Sequence, residues 1–179
     1  MKQEDKDRII KKLIETHTTI STMESCTSGM IASMITDTEG ASGIFPGGYV
    51  TYLNETKVLI GVNDYITAKQ IRKELKESDH IEATKIIKKY GVYSSECAAE
   101  MARTVKDKLK TDIAIGITGT TGNIDPNNPD SVQGQVYFCI IADGRENTFR
   151  FSSDVAGMTR HNIKQLYADR VFMELEKLI

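Results

Sequence analysis

The chain has 179 residues, 40% of them apolar, with a formal net charge of −2 and an isoelectric point near 6.0. That length suffices for a single domain over residues 1–179 with a two-sided core, and the slightly acidic balance gives no basic footprint for nucleic acid or an anionic membrane surface. No apolar run approaches the roughly 20 residues that span a bilayer, and the charged start (Lys2, Glu4, Asp5, Lys6, Asp7, Arg8) lacks the apolar stretch and cleavage site of a signal peptide.

Helical and strand-like patterns alternate along the chain. They predict a helix over residues 4–16 with Ile9, Ile10, Leu13 and Ile14 on one face, a strand over 18–23, and a helix over 28–37 with Met30, Ile31, Met34 and Ile35 together. A strand over 47–53 and a short helix over 55–60 follow. A charged helical region over 67–90, broken near Ser78-Asp79, comes next, and then a helix over 95–110. Strands at 113–118, 133–142 and 146–152 and a closing helix over 157–178 complete the chain, with a hairpin return at Asp143-Gly144. Helices interleaved with short β-branched strands predict an α/β fold: a three-layer α/β/α sandwich around a mixed, mainly parallel sheet. Cys26, Cys97 and Cys139 are widely spaced and odd in number, which fits a reducing cytoplasm better than a disulfide framework or a CxxC zinc site. His17, His80 and His161 show no metal-ligand spacing, so no metal site is expected.

Two stretches carry candidate chemistry. In Met23-Glu24-Ser25-Cys26-Thr27-Ser28-Gly29, hydroxyls and a glycine fall at a strand-to-helix turn, where N–H groups meet a phosphate or an oxyanion; the same residues also serve as ordinary helix caps. In Gly40 to Lys57, glycines mark turns and Asn54 is a candidate helix cap that puts Lys57 in the first turn. The positive end of a helix disfavours a cation there, and burial adds to this, so Lys57 is a candidate general base toward a serine, with Tyr52 orienting it or relaying its proton. The alternative is a solvated surface lysine. The longest irregular segment, Gly119 to Val132, leaves the carboxyl end of the Ile113/Ile115/Ile117 strand, where α/β sheets bind ligands, and lacks the ending of a Walker loop. Cys26 at a helix start offers a thiol alternative, because such a position lowers a thiol pKa.

Four runs occur in one order: Glu24-Ser25-Cys26-Thr27-x-Gly29; Gly48-Tyr49-Val50-Thr51-Tyr52-x-Asn54-Glu55-x-Lys57 followed by Gly61-Val62; Ser94-x-Glu96-x-Ala98-x-x-Met101-Ala102; and Thr118-Gly119 with Gly122. Together they resemble the C-terminal domain of the competence/damage-inducible CinA proteins, over nearly the whole chain. The resemblance implies a nicotinamide-nucleotide amidase of the pyridine-nucleotide cycle, cleaving the carboxamide of nicotinamide mononucleotide to nicotinate mononucleotide and ammonia without a cofactor. It also implies a homo-oligomer, a dimer or larger, with a small nucleotide as partner, in the cytoplasm that the cysteines already favour. Its serine, lysine and tyrosine map to Ser42 as nucleophile, Lys57 as base and Tyr52 as partner. Ser25 matches a hydroxyl position of the same pattern, so the nucleophile lies at Ser42 or Ser25. Thr27, Gly29 and Gly119, with Ser25, are implied substrate contacts, and Arg160, followed by Ile163 and Lys164, the phosphate ligand.

The chain departs from that pattern at several places. Ser28 stands where a second glycine is usual, Met158-Thr159 replace a Gly-Asp before Arg160, and residues 64–80 read as an insertion. The glycine-rich loop has become Thr118-Gly119-Thr120-Thr121-Gly122-Asn123-Ile124-Asp125. Because close backbone approach depends on glycine, these changes favour a second reading, a nucleotide-binding or regulatory module of the same fold without activity.

Overall fold

The computed structural model describes residues 1–61, 81–122, 125, 126, 128 and 131–179. The predicted break near residues 78–79, the start of the helical region at 67, the insertion at 64–80, His80, and Asn123 and Ile124 of the loop lie outside the described residues. The described chain runs α1 (Gln3–Glu15), β1 (Ile20–Glu24), α2 (Met30–Thr36), a 3-10 turn (Ala41–Gly43), β2 (Gly47–Val50) and α3 (Asn54–Gly61). It continues with α4 (Glu82–Tyr90), α5 (Ser95–Leu109), β3 (Ile113–Gly119), β4 (Gln135–Ala142), β5 (Arg145–Ser152) and α6 (Arg160–Glu176).

The five strands form one sheet in the order β2-β1-β3-β4-β5. β1 pairs parallel with β2 and with β3, while β4 runs antiparallel to both its neighbours. The sheet is therefore mixed, with β4 alone reversed. The reversal is made by Asp143 and Gly144, both at positive φ, the conformation that a two-residue hairpin turn requires. β1 and β3 are buried along their whole length, as strands covered on both faces must be, whereas the edge strand β5 alternates.

Helices cover both faces. On one, α1, α2 and α6 pack Ile9, Leu13, Ile31, Ile35, Val171 and Phe172 onto Ile20, Ile115, Ile117 and Phe138. On the other, Ile86 of α4 and Cys97, Ala98, Met101, Ala102 and Val105 of α5 pack onto Met23, Ala114, Cys139 and Ile141. The small residues of α5 bring it close to β3: a Cβ at Gly116 would lie 2.2 Å from the Ala98 carbonyl oxygen. The start of α5 is fixed by Ser94, whose hydroxyl accepts the Cys97 N–H at 3.1 Å, and the start of α6 by Thr159, which accepts from Asn162. Because β1, β2 and β3 run in one direction, their carboxyl ends open onto the same edge of the sheet. The turns following Glu24, Val50 and Gly119 meet there.

Candidate active site

The register sets the site. Glu24 pairs with Val50, the last residue of β2, and the Thr51 N–H continues the ladder to the Glu24 carbonyl at 2.8 Å. Ser25 is held from the other side by β3, its N–H donating to the Ile117 carbonyl at 3.1 Å. Beyond Thr51 the chain turns into α3, and Lys57, in that helix's first turn, folds back beneath it. The Lys57 Nζ donates to Ser25 Oγ at 2.9 Å and to the Thr51 carbonyl at 2.8 Å. Two residues 32 apart in sequence are thereby joined across adjacent parallel strand ends.

Lys57 is only 3% exposed. Burial lowers its pKa from the ordinary 10.5, against smaller opposing contributions from Cys97, Cys26 and Glu55. Burial also pushes the Cys97 and Cys26 thiols up to about 12, so both are neutral near pH 7 and offer the amine no counter-charge there. The expected direction for Lys57 is found, with desolvation as the foremost cause rather than the helix end. The expectation for Cys26 is reversed: its burial, and next the charge of Glu24, outweigh the helix start, which removes the thiolate needed for thiol chemistry.

Ser25 and Lys57 line a cavity of about 700 Å³ at the strand ends. Tyr52, Gly119 and Arg160 also border it, together with Thr120, Thr121, Asp125 and Asn128 from the loop after β3. The Arg160 guanidinium donates to the Tyr52 hydroxyl at 2.5 Å, so Tyr52 orients the arginine, and the hydrogen bonds of the Lys57 Nζ run to Ser25 and Thr51. Elsewhere in the lining the Tyr93 hydroxyl donates to Asp125 Oδ2 at 2.8 Å and Asn128 donates to the same oxygen at 2.7 Å. Burial first, and then this bond, raise the Tyr93 pKa above its ordinary value.

The structure does not bring Ser42 to this cavity. Ser42 is exposed in the 3-10 turn before β2, and the carbonyl of Ile44 just beyond it accepts the N–H of Ile20, the first residue of β1. Ser25 follows the last residue of that strand, so the five residues of β1, about 16 Å at ~3.3 Å each, separate the two serines. Thr27 and Gly29 face a smaller neighbouring cleft that Arg160, His161 and Lys164 also line. The N–H groups at the start of α2 are already used: the buried Glu24 carboxylate accepts from Gly29, Ile31 and Ala32 at 3.0, 3.1 and 2.8 Å. The expected anion site at that helix start is thus filled by the protein's own carboxylate. Sequence reasoning missed this role of Glu24 and the Tyr93–Asp125–Asn128 wall; an acid closing a buried strand just before a hydroxyl-rich turn was the one available signal. Among the described residues, no cluster of histidine, cysteine or carboxylate side chains could hold a metal ion.

Comparison with known proteins decides the family. The family model described as the CinA C-terminal domain matches residues 2–72 and 71–179. The chain belongs to the CinA C-terminal domain family. A CinA-like protein of Pseudothermotoga lettingae is 36% identical over 137 residues, which are 76% of this chain and 29% of that protein. The chain thus spans under a third of that CinA-like relative. A Mycoplasma pneumoniae protein named MG115 homolog is 28% identical and is matched almost end to end, over 96% of this chain and 94% of its own. Among solved structures, a CinA superfamily protein from Escherichia coli superimposes with a TM-score of 0.79 at 22% identity, covering 99% of this chain and 90% of the other. A competence or damage-inducible protein from Enterobacter asburiae gives 0.77 at 20% identity, over 99% and 98%. At those identities the likeness to the solved structures is one of fold, and it agrees with the α/β/α layering. Within this CinA fold, no described helix is long and apolar enough to cross a membrane.

Proposed function

We propose that this chain hydrolyses the carboxamide of a nicotinamide nucleotide, nicotinamide mononucleotide above all, through Ser25 and Lys57. The observation that carries the reading is a buried lysine amine, 2.9 Å from a serine oxygen, in the wall of a cavity large enough for a nucleotide. The neutral amine takes the Ser25 hydroxyl proton while its own N–H to the Thr51 carbonyl keeps the lone pair aimed at Oγ. Oγ adds to the carboxamide carbon and the carbonyl π electrons move to oxygen. Collapse then breaks the C–N bond, and the Lys57 proton goes to the leaving nitrogen, which departs as ammonia. Water next attacks the ester on Ser25. Lys57 removes the water proton, the C–Oγ bond breaks, and Lys57 returns the proton to Oγ, leaving the carboxylate product.

Arg160, fixed by Tyr52 at the cavity rim, supplies the cation for the phosphate. The polar wall of Tyr93, Asp125 and Asn128 suits a hydroxyl-bearing sugar better than an apolar substrate. Ser25 stands as nucleophile in place of Ser42, because it is the serine that Lys57 touches. The test is ammonia release from nicotinamide mononucleotide by the purified protein in the presence of EDTA. Ser25→Ala and Lys57→Met are expected to lower kcat by roughly 10³-fold or more, Arg160→Ala to raise KM, and Ser42→Ala to leave turnover unchanged. Saturable binding of the nucleotide without ammonia release would select the non-catalytic module instead.

A further inference from the structure

Glu24 is fully buried and does not border the reaction cavity, yet it is bonded to the turn that begins at Ser25 and to Thr51, the residue whose carbonyl Lys57 bonds. Its carboxylate draws three N–H groups together, Gly29 and Ile31 onto Oε2 and Ala32 onto Oε1. That clamp closes the turn whose first residue is Ser25. Inside the turn the Ser28 N–H donates to the Ser25 carbonyl at 3.2 Å, and Ser28 and Gly29 take φ of 55° and 89°. A non-glycine residue in the left-handed region is strained on its own and persists where its surroundings hold it. The backbone of Glu24 acts on the other partner. Its carbonyl accepts the Thr51 N–H at 2.8 Å, and the Thr51 carbonyl in turn accepts from the Lys57 Nζ at 2.8 Å. The side chain thus fixes the serine and the main chain fixes the acceptor that aims the lysine.

We infer that Glu24 is the positioning residue of this site: its buried carboxylate, accepting three N–H groups of the following turn, holds Ser25 Oγ within reach of Lys57. The inference rests on the hydrolase reading for its kinetic consequence and on geometry alone for the rest. A carboxylate has acceptor capacity at both oxygens, whereas an amide presents one acceptor and one donor, so Glu24→Gln turns one bonded oxygen into a group that faces N–H donors. The turn then relaxes, and a displacement of about 1 Å between reacting groups is enough to cost on the order of 10²-fold in rate.

The experiment compares wild type with Glu24→Gln and with Ala32→Pro. The second variant leaves the carboxylate in place and removes the first-turn N–H that donates to Oε1. Two quantities are read: kcat and KM for nicotinamide mononucleotide, and the titration midpoint of Lys57, followed by NMR on protein labelled with ¹³C at the lysine ε-carbon. Positioning by Glu24 predicts a kcat loss on the order of 10²-fold in Glu24→Gln with KM changed less than about threefold, and a smaller loss in Ala32→Pro. It also predicts that the Lys57 midpoint shifts from its wild-type value as the pair comes apart. If Glu24→Gln does not fold, Ala32→Pro alone decides. An unchanged kcat and an unchanged Lys57 midpoint, whatever happens to Tm, would overturn the inference while wild-type turnover kept the hydrolase reading intact. Wild type without turnover, but with a midpoint that moves in the variants, would overturn the hydrolase reading and leave Glu24 in its role.

Discussion

Lys57 shows how one residue sets stability and chemistry against each other. Because burial lowers its pKa, the unfolded chain binds more protons than the folded one between the folded pKa and 10.5. Stability therefore rises with pH through that window, and at lower pH the protein carries the cost of a buried cation. Turnover has the same sign, since the neutral amine is the base. Its pH profile is expected to climb to a half-maximum below 10.5 and to fall on acidification, which initial rates across a pH series would show. Lys57→Met removes the base together with the burial cost, so we expect rates to fall by about 10³-fold. Thermal denaturation at neutral pH should meanwhile show Tm within a few degrees of wild type, roughly 1 kcal/mol either way. The direction of the lysine's shift was read from its place in a helix's first turn, although burial is its foremost cause. What the sequence did not reveal is that the amine would be buried against Ser25.

Among the elements, the close approach of α5 to β3 gives the sharpest stability prediction. Gly116 leaves room for α5 only because it has no side chain: a Cβ there would meet the Ala98 oxygen at 2.2 Å, the Ala102 nitrogen at 2.5 Å and the Met101 Cβ at 2.9 Å. Two of these are backbone atoms that cannot swing aside. Gly116→Ala should therefore push α5 outward and cost about 3 kcal/mol, a Tm loss on the order of 10 °C by calorimetry. An unchanged Tm would mean that α5 has slack that this packing does not show. The elements themselves were legible because their periods are strong. Ile113, Ile115 and Ile117 alternate, Ile9, Ile10 and Leu13 share one helical face, and Asp143-Gly144 has the turn chemistry of a hairpin. Boundaries shifted by a few residues where no cap fixed them, as at β2, predicted over 47–53 and found at Gly47–Val50. There the strand ends because the chain turns into α3 beyond Thr51, whose N–H makes the last bond to β1.

At the scale of the whole molecule, strand direction determines which residues can meet. Ser25 and Lys57 converge because β1 and β2 are parallel neighbours whose carboxyl ends share one edge, and the loop after β3 completes the cavity. Ser42 precedes β2 and so lies at the opposite edge, a fact that follows from topology and from no local pattern. A motif resemblance supplies candidate residues in order along the chain, and two serines of suitable spacing look alike until the sheet is assembled. The wall that Asp125 and Asn128 of the loop after β3 form with Tyr93 could not be anticipated, since Tyr93 and Asp125 are joined only in three dimensions. The most direct test of the Ser25–Lys57 assignment is rapid quenching of the protein with nicotinamide mononucleotide, followed by peptide mass mapping. The account predicts an acyl adduct on the peptide bearing Ser25, absent from Ser25→Ala and from Lys57→Met. An adduct at Ser42, or undiminished ammonia release by Ser25→Ala, would contradict it.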